Sequence, residues 1–271
     1  MSCTSIIRGG LGNNLFIIAS GLGIADKLNR NYFINSNMSE RNPHKTMSYD
    51  CFFGDIPKKN ADINTQLGSR LHKIWHVNKS VMTLTEDQNS TGRFQDYPKD
   101  IQEELVIIDG YRQTEKYFSH IEDQVREYFS CSEDNVYLEI KRGSAFIHVR
   151  RGDYKTIGFL HDLTSYFKRG IASFSNVNQW YVFSDDIEWC KKQETFKGMN
   201  FMEGYNEVDT LWMISQCDKG GVCSNSSFSW WGSWLNSNIG KKVIFPYPWF
   251  PNGDVSKNKD IYYKGSTVLN V

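Results

Sequence analysis

Apolar side chains at positions 15, 16, 18, 19, 22, 25 and 28 recur at helical spacing, which predicts a helix from Leu15 to Leu28. Ahead of it stand a short strand, Thr4 to Ile7, and a glycine turn running from Arg8 to Asn14. A strand at Asn31 to Ile34 follows at once and completes a βαβ unit of the parallel kind. Residues 36 to 100 are polar, rich in Asn, Lys and Asp, and predict irregular loops and small helices. Glu104 to Asp109 reads as another strand, 119 to 129 as a helix, and the polar stretch Ser130 to Asn135 as a domain boundary. Beyond it, strands at Ser144 to Val149, Gln179 to Phe183, Met199 to Met202, Gly221 to Cys223 and Lys242 to Phe245 alternate with helical stretches near 165 to 174, 186 to 193, 207 to 216 and 226 to 236. Such alternation predicts doubly wound parallel sheets. The expected architecture is therefore α/β, with two Rossmann-like domains, 1–134 and 135–271, the last segment free to pack back on the first.

Composition narrows the classes. Lys plus Arg equals Asp plus Glu at 31 each, so no global field favours nucleic acid and any anion site must be local. The six cysteines (Cys3, Cys51, Cys131, Cys190, Cys217, Cys223) form no CxxC pair and no zinc spacing, which favours reduced thiols over a disulfide framework. His72 and His76 are four apart but lack an acidic companion, so surface histidines are the simpler reading. No window approaches the ~20 apolar residues of a membrane span and no signal-peptide pattern opens the chain, so a soluble, cytoplasmic protein is expected. With eight Trp and 14 Tyr, some aromatic faces are expected to serve sugar rings as well as the core.

The chemistry concentrates where apolar strands stop. Ala-Phe-Ile-His-Val runs into Arg150, Arg151, Gly152 and Asp153, and ligands of parallel sheets bind beyond such strand ends. Two adjacent arginines call for an anion such as a phosphate or carboxylate. The plainer alternative pairs Arg151 with Asp153 and leaves Arg150 as a solvated strand end. Arg151-Gly152-Asp153 also spells an adhesion tripeptide, but that role needs a flexible exposed tip, and here it abuts a buried strand. Two further strand ends carry polar clusters, Ser184-Asp185-Asp186 and Ser224-Asn225-Ser226-Ser227-Phe228-Ser229. The last opens a helix, whose N-terminal N–H groups and dipole suit a phosphate, although capping alone explains one serine. Asp209 either caps its helix with Asn206 or accepts from a guanine amide and amine. Gly9-Gly10-Leu11-Gly12-Asn13-Asn14 lacks the third glycine of the dinucleotide fingerprint, which argues against NAD. No Asp-x-Asp pair is present to hold a divalent ion on a diphosphate, so no metal is expected.

Taken together, His148-Val-Arg-Arg-Gly-Asp-Tyr154, Tyr181-Val-Phe-Ser-Asp-Asp186 and Asn225-Ser-Ser-Phe-Ser-Trp-Trp-Gly-Ser-Trp-Leu-Asn236 resemble the α-1,2-fucosyltransferases of glycosyltransferase family 11. Gly9 to Phe16, Gly110-Tyr-Arg-Gln113 with Tyr117-Phe118, and Val243 to Pro246 with Trp249-Phe250 fit the same family in order, across essentially the whole chain. The resemblance implies a GT-B fold of two Rossmann-like lobes facing a cleft. It also implies GDP-β-L-fucose as donor, a terminal galactoside as acceptor, inversion to an α-1,2 linkage, and no metal or other cofactor. By position it places Arg150 on the β-phosphate, His148 and Asp209 on the nucleoside side, and Ser226 and Ser227 on the diphosphate. Arg151, Asp185, Asp186, Asn225, Phe228 and Ser229 fall in the same motifs, and Asp153 is the carboxylate nominated as general base, ahead of His148. Gly10, Gly12, Asn13 and Asn14 are assigned to the acceptor side. Two positions depart from the family: Asn14 where Gln is common, and Asp218-Lys219 where a histidine is common. A transferase of another nucleotide sugar and a catalytically silent glycan- or nucleotide-binding protein stand as alternatives. Peripheral membrane association is left open.

Overall fold

A computed structural model of the chain describes residues 1–35, 52, 55–59, 64–65, 74–75, 81–130, 140–251 and 254–271. The chain divides into two compact units, Met1–Ser130 and Cys131–Val271.

The first unit contains β1 (Ser2–Ser5), α1 (Leu11–Lys27), β2 (Asn31–Tyr32), β3 (Val81–Thr85), β4 (Leu105–Asp109) and α2 (Glu122–Tyr128). Its parallel sheet runs in the order β2-β1-β4-β3. All five residues of β4 are buried, as expected for a central parallel strand covered on both faces. Helix α1 starts at Leu11, four residues before its apolar period does. Gly10 supplies the extended N-cap, and the buried Asn14 amide donates to the carbonyls of Gly9 (2.9 Å) and Gly10 (2.8 Å). Leu11 to Asn14 thus form the first helical turn instead of the predicted loop. Farther along, a Cβ at Gly23 would lie 2.1 Å from the Tyr117 carbonyl oxygen, so only glycine allows this approach.

The second unit contains β5 (Ser144–Val149), α3 (Tyr154–Ile157), α4 (Thr164–Ala172), β6 (Gln179–Ser184), α5 (Ile187–Lys191), β7 (Asn200–Phe201), α6 (Glu207–Gln216), β8 (Gly220–Cys223), α7 (Ser227–Leu235), β9 (Lys242–Tyr247) and β10 (Thr267–Asn270). The parallel order is β7-β6-β5-β8-β9-β10. The chain winds outward from β5 through β6 to β7 and then crosses to β8. The β5/β8 boundary is therefore the point where strand order reverses, the usual ligand position in such sheets. Ile147, Val149, Tyr166, Phe167, Val182 and Val222 form the core around these strands. Trp230, Trp231 and Trp234 of α7 are buried against one another, and a Cβ at Gly232 would meet Ile214 Cγ2 of α6 at 2.5 Å.

Several expectations change. β3 lies in the stretch predicted to be irregular, and the C-terminal segment forms edge strand β10 of the second sheet. His72, His76, Cys51 and Cys131 lie outside the described residues. Cys3, Cys190, Cys217 and Cys223 are buried free thiols. Among the described residues no helix is long and apolar enough to cross a membrane, and no cluster of three His, Cys, Asp or Glu side chains is placed to hold a metal ion.

Candidate active site

Strand register brings the motifs together. Val149 pairs with Ser184, and His148 pairs with both Phe183 and Cys223. The residues that follow these strands, Arg150, Asp185 and Ser224, therefore stand side by side. Arg150 places Nη2 at 2.8 Å from Asp153 Oδ1 and Nη1 at 3.0 Å from Asp185 Oδ2. Its guanidinium lies 5.5 Å from the centre of the Tyr154 ring. Arg151 turns the other way: Nε donates to Asp186 Oδ2 at 3.1 Å, and the guanidinium covers the Trp189 ring at 3.8 Å. The Asp153 partner is thus Arg150, not the neighbouring Arg151 of the plainer alternative. A Cβ at Gly152 would fall 2.6 Å from Asp185 Oδ2, so the missing side chain lets Asp185 cross to Arg150 and accept the Arg151 N–H at 2.9 Å.

Three cations (Arg150, Arg151, Lys155) meet three carboxylates (Asp153, Asp185, Asp186) through these pairs. The local charge balances without a ligand, and an entering anion must take Arg150 from a carboxylate. Asp153 is the looser partner, with its side chain 54% exposed against 26% for Asp185. Lys155, and after it Arg151, hold the Asp186 carboxyl below its usual range.

Ser224 joins the arginine to the third motif. Its Oγ accepts the Arg150 N–H at 3.2 Å and lies 3.3 Å from His148 Nδ1, while its own N–H donates to the His148 carbonyl at 3.0 Å. Ser226 is the N-cap of α7, its Oγ accepting from the Phe228 N–H at 3.3 Å. Ser229 is buried with its hydroxyl 3.2 Å from the carbonyls of Ser224 and Ser226, so it braces the turn. Ser227 and Phe228 are half-buried, and Phe228 lies 5.2 Å from the His148 ring. Asn225 is buried: its amide donates to the Phe159 carbonyl (3.1 Å), and its carbonyl accepts from the Tyr154 hydroxyl (2.9 Å). Tyr154, Phe159 and Phe250 then form a continuous aromatic shelf beside Arg150, at ring separations of 5.8 and 4.6 Å.

Burial pushes the His148 imidazole down to about 4, with Arg150 adding to the shift and Asp185 opposing it. The ring is therefore neutral at physiological pH and a weaker base than a free imidazole, with Nδ1 facing the Ser224 hydroxyl. Asp209 lies at the capped start of α6: its N–H donates to Asn206 Oδ1 (2.9 Å) and its carboxylate accepts from Asn206 Nδ2 (2.8 Å). That carboxylate remains exposed.

The first unit has its own polar strand ends. Arg8 pairs with buried Asp109 at 2.8 Å and lies over the Tyr111 ring at 4.9 Å. Glu86, also buried, accepts the N–H groups of Tyr111 (2.7 Å) and Arg112 (2.8 Å), and burial pushes its carboxyl up to about 7. These bonds secure Arg112 in the left-handed region at φ 46°. Gln113 donates to Asn13 Oδ1 at 2.9 Å. Gly10 and Asn13 are half-buried, whereas Gly12 and Asn14 are buried at the helix start. Arg8, Glu86 and Asp109 were missed because nothing local marks them: their strands converge only in the parallel sheet. Tyr154 adjoins a recognised motif, but Trp189 becomes visible only when α5 folds against Arg151.

The fold and site define an α/β protein whose second parallel sheet sets, at its switch point, an ion-paired arginine beside a serine-capped helix. A family model described as "Glycosyl transferase family 11" matches residues 87–269, and the chain belongs to that family. It is 30% identical to an Escherichia coli protein named "Alpha-1,2-colitosyltransferase", over 92% of this chain and 93% of that one. It is 25% identical to "O-antigen biosynthesis glycosyltransferase WbnK" of Escherichia coli, over 93% and 96%. A "Galactoside 2-alpha-L-fucosyltransferase" of Caenorhabditis elegans is 26% identical over 87% of this chain and 69% of that protein. Among solved structures, the fucosyltransferase NodZ from Bradyrhizobium aligns with a TM-score of 0.52 at 11% identity, over 85% of this chain and 90% of that one. The α/β architecture is accordingly of the GT-B class.

Proposed function

We propose that the protein is an inverting, metal-independent transferase that moves L-fucose from GDP-β-L-fucose to the 2-hydroxyl of a terminal galactoside. The observation that carries this reading is the junction at Ser224, which binds the Arg150 main chain one residue after β5 and opens the turn capped by Ser226 on α7. A diphosphate there meets a guanidinium and a helix N-terminus together, and both stabilise the charge that grows as GDP leaves. Arg150, Ser226 and Ser227 hold the diphosphate, and His148 and Asp209 the nucleoside. In the reaction the C1–O bond breaks with its electron pair passing to the β-phosphate oxygen, and the acceptor oxygen bonds to C1 from the opposite face. Asp153, released from Arg150 by the phosphate, takes the hydroxyl proton. The terminal galactoside binds on the side of the first unit, through Gly10 and Asn13.

The test is GDP release from GDP-fucose with and without a β-galactoside, in EDTA, followed by linkage analysis. Acceptor-dependent release with an α-1,2 product is expected, and Arg150→Ala is expected to lower turnover on the order of a thousandfold in a folded protein. Competition by UDP but not GDP, or near-normal turnover of the variant, overturns the reading. A second donor is favoured by the 30% identical colitosyltransferase, because colitose is L-fucose without its 3-hydroxyl. Running GDP-colitose beside GDP-fucose separates the two by their kcat/KM ratio.

A further inference from the structure

We infer that Ser224 fixes His148 as the tautomer protonated on Nε2, so that this residue serves the site as a neutral hydrogen-bond donor to an acceptor atom of the nucleotide. The functional half rests on the reading that a nucleotide binds here; the tautomer itself does not.

The argument is one of proton accounting. Ser224 is fully buried, and its hydroxyl has one proton to give and two lone pairs to receive with. The Arg150 N–H, 3.2 Å away, is a donor only and occupies one lone pair. The hydroxyl proton then needs an acceptor, and His148 Nδ1 at 3.3 Å is the one the structure places there. Were Nδ1 protonated, the oxygen would receive two N–H groups while its own proton lay buried without a partner, an arrangement buried hydroxyls avoid. Both residues are pinned by main-chain bonds, Ser224 N–H to the His148 carbonyl at 3.0 Å and the Ser229 hydroxyl to the Ser224 carbonyl at 3.2 Å. These bonds hold the two backbones side by side, which keeps the hydroxyl within reach of Nδ1. The groups around the ring are Phe228, Arg150 and Asp185; the arginine and burial oppose a second proton, and Asp185 alone favours one. With Nδ1 committed, Nε2 carries the proton and is the ring atom left to meet a ligand. The same hydroxyl thus orients the arginine main chain and the imidazole, which makes Ser224 a positioning residue for both.

The experiment is a long-range proton–nitrogen correlation spectrum of the full chain carrying nitrogen-15 histidine, at neutral pH without ligand, with His148 assigned by its loss in His148→Gln. An unprotonated Nδ1 and a protonated Nε2 are expected. Protonated Nδ1, or a doubly protonated ring, overturns the inference whatever the enzyme's substrate proves to be. Ser224→Ala is expected to shift His148 toward a mixture of tautomers and to weaken GDP binding about tenfold by calorimetry, and Ser224→Thr, which restores the hydroxyl, to recover both. Weaker GDP binding with the tautomer unchanged would mean that Ser224 acts only through the Arg150 main chain, and an altered tautomer with GDP affinity unchanged would remove the donor role. Absence of GDP binding by the wild-type chain defeats the nucleotide reading and with it the donor role, leaving the tautomer result standing by itself.

Discussion

At the scale of single residues, Gly152 governs the site without contributing a functional group. The 2.6 Å that would separate a Cβ from Asp185 Oδ2 leaves no room for alanine unless the carboxylate moves. Gly152→Ala should therefore detach Asp185 from Arg150 and lower kcat/KM for the donor about tenfold. Its melting temperature should stay within a few degrees of wild type, because a partly exposed ion pair contributes little to stability; donor kinetics and a thermal melt check both halves. The residue types of this site were readable in the sequence, since paired arginines after an apolar strand call for an anion. Their partners were not. Asp185 lies 35 positions from Arg150 and reaches it only because Ser184 pairs with Val149. Nor was the local role of Asn14 legible: its amide closes the first turn of its own helix on the Gly9 and Gly10 carbonyls.

At the scale of elements, the strong periodic signals gave the right elements and the weak ones did not. β5 is buried at all six positions, and its apolar Ala-Phe-Ile stretch and Val149 could be read directly despite His148. β10 is mostly exposed and β3 only partly buried, so edge position left them little apolar pattern to betray them. Helix α1 was visible, but its start was set by capping and not by its stripe. Two changes probe what holds these helices. Gly23→Ala in α1 forces a methyl against the Tyr117 carbonyl and should destabilise the first unit by about 1–3 kcal/mol, read from urea unfolding. Ser226→Ala removes the α7 cap and should cost about 1 kcal/mol of stability, with a rise in donor KM that Ser226→Thr reverses.

At the scale of the whole molecule, the equality of 31 basic and 31 acidic residues turns attention from a global field to local charge. Two buried groups, one in each unit, nevertheless answer acid in opposite senses. In the first, the folded Glu86 carboxyl keeps its proton up to about 7 while the unfolded chain loses it near 4.5, so stability falls as pH rises through that window. In the second, the unfolded His148 takes a proton near 6.5 while the folded ring resists until about 4, so stability falls as pH drops through that window. Calorimetry at pH 7 and pH 5 should show the first unit's transition rising on acidification and the second's falling. Glu86→Gln should abolish the former shift and His148→Gln the latter. The position of β5 between β6 and β8 carries a further consequence, for the order of events in folding. Arg150 and its Ser224 partner are separated by 74 residues, so the site closes only after a long loop has been drawn in, and parallel pairings of that span are slow to form. During refolding from denaturant, helical signal should return before the capacity to bind GDP, and the lag between them would time the docking of β8 against β5.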